Sequence, residues 1–174
     1  MKRTNHIANL FLSIILMIVC ASSNKVFANT FQQIKTDTMP TGNYAAVNGI
    51  KMYYEIHGEG KPLVLIHGGG STIETTFGNI LPLFAKQYKV IAVELQAHGH
   101  TGDRDAPESF QQDADDVAAL LEQLNISKSN ILGFSNGGST TLQIAIRHPA
   151  LLDKIIIVAG AYNKSNAYKK NGVF

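Results

Sequence analysis

From residue 44 onward, apolar positions gather into short unbroken runs separated by polar, turn-rich stretches. Residues 44–47 and 50–56 read as two strands joined at Asn48-Gly49, the dipeptide that most strongly signals a tight hairpin. Leu63-Val64-Leu65-Ile66, Val90-Ile91-Ala92-Val93 and Ile155-Ile156-Ile157-Val158 are continuous apolar runs, and Ile131-Leu132 is a shorter one. Such runs mark strands buried on both faces, as in a parallel sheet. Between them the spacing changes to that of helices. Phe77, Ile80, Leu81 and Phe84 predict a helix kinked at Pro82. Val117, Leu120, Leu121 and Leu124 share one face of a helix over 109–124, with Ser109 as its N-cap. A further helix over 136–147 is stopped by His148-Pro149. Strands alternating with helices predict the α/β class: a mostly parallel sheet, helices on both faces, right-handed crossovers. Chemistry then belongs at the carboxyl ends of the strands.

The first residues break this pattern. Lys2 and Arg3 are followed by an apolar run over 10–20, then by Ser22-Ser23-Asn24-Lys25 and Val26-Phe27-Ala28. That is the layout of a signal peptide over 1–28, cut after Ala28 or at the second small-residue site around Val19-Cys20-Ala21. About 11 apolar residues fall short of the ~20 that span a bilayer, so no stable membrane span is expected after cleavage. Val19 before Cys20 disfavours a lipoprotein. The expected location is periplasmic or extracellular. Residues 29–43 are polar and read as a linker, 44–161 as the folded domain, and 162–174 as a Lys-rich tail.

Composition narrows the function little further. At 45% apolar and 16% charged residues the chain is globular in character. Without Lys2, Arg3 and Lys25, the 15 basic residues become 12 against 13 acidic ones. A near-neutral domain with no basic stretch gives no reason to expect a nucleic-acid partner. The leader also holds the only cysteine, so no disulfide is expected in the mature domain. Residues 57–62 form a turn cluster whose two glycines are too few for a dinucleotide fingerprint. Asp113, Asp115 and Asp116 read as a solvated helix start, and His98-x-His100 offers too few ligands for a metal site. Neither metal nor cofactor is expected.

The candidate chemistry lies at Gly133-Phe134-Ser135-Asn136-Gly137, a match to G-x-S-x-G between a strand and a helix. A sharp turn there strains the serine backbone and leaves no room for side chains two positions away, so Gly133 and Gly137 are required. The N–H of Asn136 falls at a helix start, where it faces any oxyanion formed beside Ser135. His67-Gly68-Gly69-Gly70, after the 63–66 run, lets backbone N–H groups approach a ligand. His67 itself is expected to hydrogen-bond its own loop.

Together these segments resemble the α/β-hydrolase superfamily over about residues 44–161. The resemblance lies in the elbow around Ser135 and in the His67-to-Gly70 segment. Residues 94–101 sit where the family has Asp-x-Arg-Gly-x-Gly-x-Ser; here Glu94, Gln96 and Ala97 depart from that pattern. The resemblance implies Ser135 as nucleophile and the N–H groups of Gly69 and Asn136 as the oxyanion hole, supported by His67, Gly68, Gly70, Gly133 and Gly137. It implies a small-molecule acyl substrate: an ester, thioester, lactone, amide or C–C bond beside a carbonyl. A serine at the elbow argues against the aspartate-based dehalogenase and epoxide-hydrolase branches.

A serine nucleophile needs a base, and in this family the acid and the histidine follow the serine. After Ser135 the sequence has only Asp153 and His148. His148 lies about 12 residues along the helix, roughly 18 Å away at 1.5 Å per residue, and Asp153 opens a strand at the far edge. The expectation is an α/β-hydrolase fold truncated after about six strands, inactive alone. Its last strand is then an exposed edge prone to association. The alternative is a non-catalytic remnant or binding module that keeps the scaffold. Complementation by a second chain carrying the missing strands is a third reading.

Overall fold

The computed structural model describes residues 42–161. The expected signal peptide, the expected linker up to residue 41 and the expected tail over 162–174 lie outside the described residues. Six strands are present: β1 (Asn43–Val47), β2 (Ile50–His57), β3 (Lys61–Ile66), β4 (Tyr88–Val93), β5 (Ser129–Phe134) and β6 (Leu152–Val158). Four helices accompany them: α1 (Ile73–Phe77), α2 (Leu81–Phe84), α3 (Phe110–Gln123) and α4 (Asn136–Arg147). They form one sheet in the order β1-β2-β4-β3-β5-β6. β1 and β2 are antiparallel to their neighbours, whereas β4, β3, β5 and β6 run parallel. The hairpin turn at Asn48-Gly49 takes positive φ at both residues, 42° and 89°, as a primed turn demands. Because β1 begins at Asn43, the fold starts one residue inside the expected linker.

The unbroken apolar runs supply two cores, one on each face. Val64, Ile66, Ile91, Val93 and Ile131 pack with Val117, Leu120 and Leu121 of α3 and Ile144 of α4. Leu63, Leu65, Val90 and Ala92 point the other way, onto Ile73, Phe77 and Leu81 of α1 and α2. Alternate residues of β3 and β4 thus serve opposite faces, which is why the buried stretches 63–66 and 90–93 are apolar at every position.

Three expectations need correction. The segment expected as one kinked helix is two short helices. α1 ends at Phe77 and α2 starts at Leu81, so Pro82 sits in the first turn of α2, where its missing N–H costs nothing. Second, the run 155–158 is not buried. In β6, Ile155, Ile156 and Val158 are 38%, 53% and 43% exposed, because β5 pairs with only one side of the strand.

Third, the acids of α3 are not a solvated helix start. Ser109 caps the helix as expected, accepting from the N–H of Gln112. Asp116, however, is fully buried and accepts from Asn48 Nδ2 (3.0 Å), Gln112 Nε2 (2.9 Å) and the Arg104 guanidinium. Arg104 also donates to the Asn48 carbonyl, so the hairpin turn, the 103–104 loop and α3 are tied at one point. Asp113 is buried too, and burial, then the Asp116 charge, push its carboxyl up to about 7. Asp115 alone faces outward, held low by its hydrogen bond to Arg147 and, less strongly, by His148.

Candidate active site

Ser135 links β5 to α4. Its φ of 51° and ψ of −111° are a conformation that L-residues rarely adopt. Its N–H donates to the carbonyl of Val158 on β6 at 2.8 Å, and its own carbonyl accepts from Ser139 at 3.1 Å. The two flanking glycines are required by contact. A methyl on Gly133 would overlap the backbone of Gly137, and one on Gly137 would overlap the Ile66 carbonyl. Gly137 in turn donates to the His67 carbonyl at 3.0 Å, stapling the start of α4 to the end of β3.

This staple brings the His67-to-Gly70 segment against the serine. A Cβ built on Gly68 would lie 3.5 Å from Ser135 Cβ and 3.0 Å from the ring of Phe134; one on Gly69 would lie 3.3 Å from the Asn136 amide group. Asn136 is the first residue of α4, so its N–H has no acceptor within the helix. The N–H of Gly69 has no acceptor among the described residues. The residues packed around Ser135 thus include two with unspent amide donors, Gly69 and Asn136, and the Ser135 hydroxyl itself forms no hydrogen bond among the described residues. Phe134, 41% exposed, gives the same rim an apolar wall.

The imidazoles near this rim are engaged elsewhere. His67 is fully buried; its Nε2 accepts from the Leu95 N–H at 3.0 Å, so Nδ1 carries the proton and donates to the Gly68 carbonyl at 2.7 Å. Burial holds it below the usual imidazole range. This is the loop-bonding role expected from the sequence. His98 accepts from Gly70 N–H on Nε2 and donates from Nδ1 to the Gln96 carbonyl. His100 bonds Glu94 and stacks on Tyr53 at 4.4 Å. Neighbours in sequence, His98 and His100 point at different partners and do not converge. Among the described residues, no three His, Cys, Asp or Glu side chains are arranged to hold a metal ion.

The two titratable residues after the serine are also committed. His148, at the far end of α4, pairs with Asp115 at 2.7 Å. Asp153, at the start of β6, pairs with Lys61 at the start of β3, on the opposite edge of the sheet. Neither is bonded to Ser135.

Glu94 is the residue whose part the sequence left obscure. It follows the last residue of β4, is 2% exposed, and accepts from the backbone N–H and ring of His100 and from the first N–H of α1. Its carboxylate fills the space that a side chain on Gly99 would need. A single acid closing four apolar residues was the available signal.

The arrangement agrees with comparisons to known proteins. Residues 61–170 match the family model described as alpha/beta hydrolase fold. Human "Serine hydrolase BPHL" is 38% identical over 126 residues, 69% of this chain and 43% of that protein. The solved enol-lactonase from Burkholderia xenovorans LB400 superposes with a TM-score of 0.66 at 28% identity, covering 68% of this chain and 47% of that one. Epoxide hydrolase CorEH superposes at 0.69 and 28% identity, covering 77% and 46%. The chain spans about half the length of the curated relatives it matches. With its serine elbow, its stapled glycine segment and this match over most of the folded region, the chain belongs to the α/β-hydrolase fold family.

Proposed function

We propose that this chain carries the nucleophile and oxyanion half of an exported serine hydrolase that acts on a carboxylic ester or related acyl bond. The observation that carries the reading is the strained Ser135 beside two unspent N–H donors, those of Gly69 and Asn136. In this reading Ser135 Oγ attacks the acyl carbon, and the carbonyl oxygen gains its negative charge between those donors. Amide dipoles fixed before the reaction stabilise that charge without reorganising. Phe134 offers the acyl chain an apolar surface. The names of the relatives support the class: a serine hydrolase and an enol-lactonase are among them. The likeness to an epoxide hydrolase supports the scaffold, while the serine at the elbow favours acyl transfer over ring opening.

The proton of Ser135 has no acceptor in residues 42–161, so these residues alone are proposed to be close to inactive. Imidazole in solution tests this. Without it, hydrolysis of a nitrophenyl ester stays within about 10³-fold of the uncatalysed rate. With it, the wild-type chain exceeds Ser135→Ala at equal imidazole, because only the former has a nucleophile to deprotonate. Equal rates at every imidazole concentration would favour the second reading, a non-catalytic binding module, which the engagement of His67, His98 and His148 supports. Export rests on the leader; N-terminal sequencing of protein recovered outside the cytoplasm is expected to begin at Asn29, and an intact Met1 there would reject it.

A further inference from the structure

Two histidine rings bridge the loops that follow β3 and β4, and they do so in opposite directions. His67, from the first loop, accepts the N–H of Leu95 in the second; His98, from the second, accepts the N–H of Gly70 in the first, both at 3.0 Å. The two bridges span the same 28 residues of sequence. Each ring donates its Nδ1 proton to a nearby carbonyl at 2.7 Å, His67 to Gly68 and His98 to Gln96. Both rings are thereby fixed in the same neutral tautomer, 5.0 Å apart.

The bonds surround one residue. The Gly68 carbonyl accepts from His67 and from Ser71 Oγ, the His67 carbonyl accepts from Gly137, and the Gly70 N–H is held by His98. The N–H of Gly69, between them, has no acceptor among the described residues. Three consecutive glycines would otherwise sample a wide range of backbone conformations, and a wandering donor stabilises little charge. Gly70, at φ 65°, holds the left-handed backbone that glycine favours.

We propose that His98 is a positioning residue: its ring pins Gly70 and so keeps the Gly69 N–H aimed at the space above Ser135. The purpose of that aim rests on the reading of Ser135 as a nucleophile; the clasp itself does not. His98 cannot at once be the missing base, because a proton taken on Nε2 would displace the Gly70 N–H.

Nuclear magnetic resonance on the full chain decides it without any assay of turnover. Long-range nitrogen–proton spectra are expected to show His98 neutral with the proton on Nδ1. The Gly70 amide is expected to exchange at least about tenfold more slowly than that of Gly69. In His98→Ala the two rates converge and Gly69 gains fast backbone motion. His98→Gln, whose side-chain oxygen can accept the same N–H, restores most of the difference. An Nε2-protonated ring, or wild-type Gly70 exchanging as fast as Gly69, overturns the proposal. So does a Gly70 rate that is the same in folded His98→Ala. If His98→Ala does not fold, the wild-type tautomer and exchange rates decide alone. Absence of a Ser135-dependent ester rate with the clasp intact would reject the hydrolase reading and leave the clasp standing.

Discussion

At the scale of single residues, Asp113 shows how burial is turned into pH dependence. Its carboxyl, on α3, is buried with the Asp116 charge nearby, and it binds its proton up to about 7. A carboxyl whose folded-state pKa is raised favours folding below its ordinary range, and that contribution is lost as pH climbs through about 7. The full difference corresponds to at most roughly 4 kcal/mol. Asp113→Asn removes the ionisation and keeps the shape. Urea unfolding at several pH values is expected to find the variant more stable than wild type at pH ~8, with the gap closing below about pH 4. A gap that does not change with pH would show that Asp113 is ionised in the fold.

At the scale of elements, β3 and β6 carry nearly the same kind of apolar run and meet different fates. β3 lies between β4 and β5, and Val64, Leu65 and Ile66 are wholly buried. Among the described residues β6 has one neighbour, and Ile146 of α4 adds a 70% exposed side chain to the apolar surface. Edge strands usually carry a lysine, a proline or a bulge against unwanted pairing; β6 has Lys154 and a register shift at its start, but residues 155–158 carry none of these. The full chain is therefore expected to associate with rising concentration in light scattering. Ile156→Lys is expected to shift it toward monomer while changing unfolding stability by no more than about 1 kcal/mol, since the residue is already 53% exposed. A wild-type chain that stays monomeric at high concentration would contradict this.

At the scale of the whole molecule, the elements whose signals are local were legible in the sequence. The hairpin at Asn48-Gly49, the elbow glycines and the helix after Ser109 each depend on a few adjacent residues, and each lies where the pattern put it. What stayed hidden depends on residues far apart in sequence. Nothing near Asp116 announces that Arg104 and Asn48 will close over it, and nothing near His98 announces Gly70, 28 positions earlier. Periodicity could not separate β6 from β3, because exposure at an edge is decided by which strands flank it. The serine corner has a last consequence for the molecule as a whole. A backbone at φ 51° suits glycine better than any side chain, so the hydroxyl is kept against the interest of the scaffold. A library randomised at position 135 and sorted only for heat tolerance would drift toward glycine, and each sequence that drifted would have given up the hydroxyl for a less strained chain.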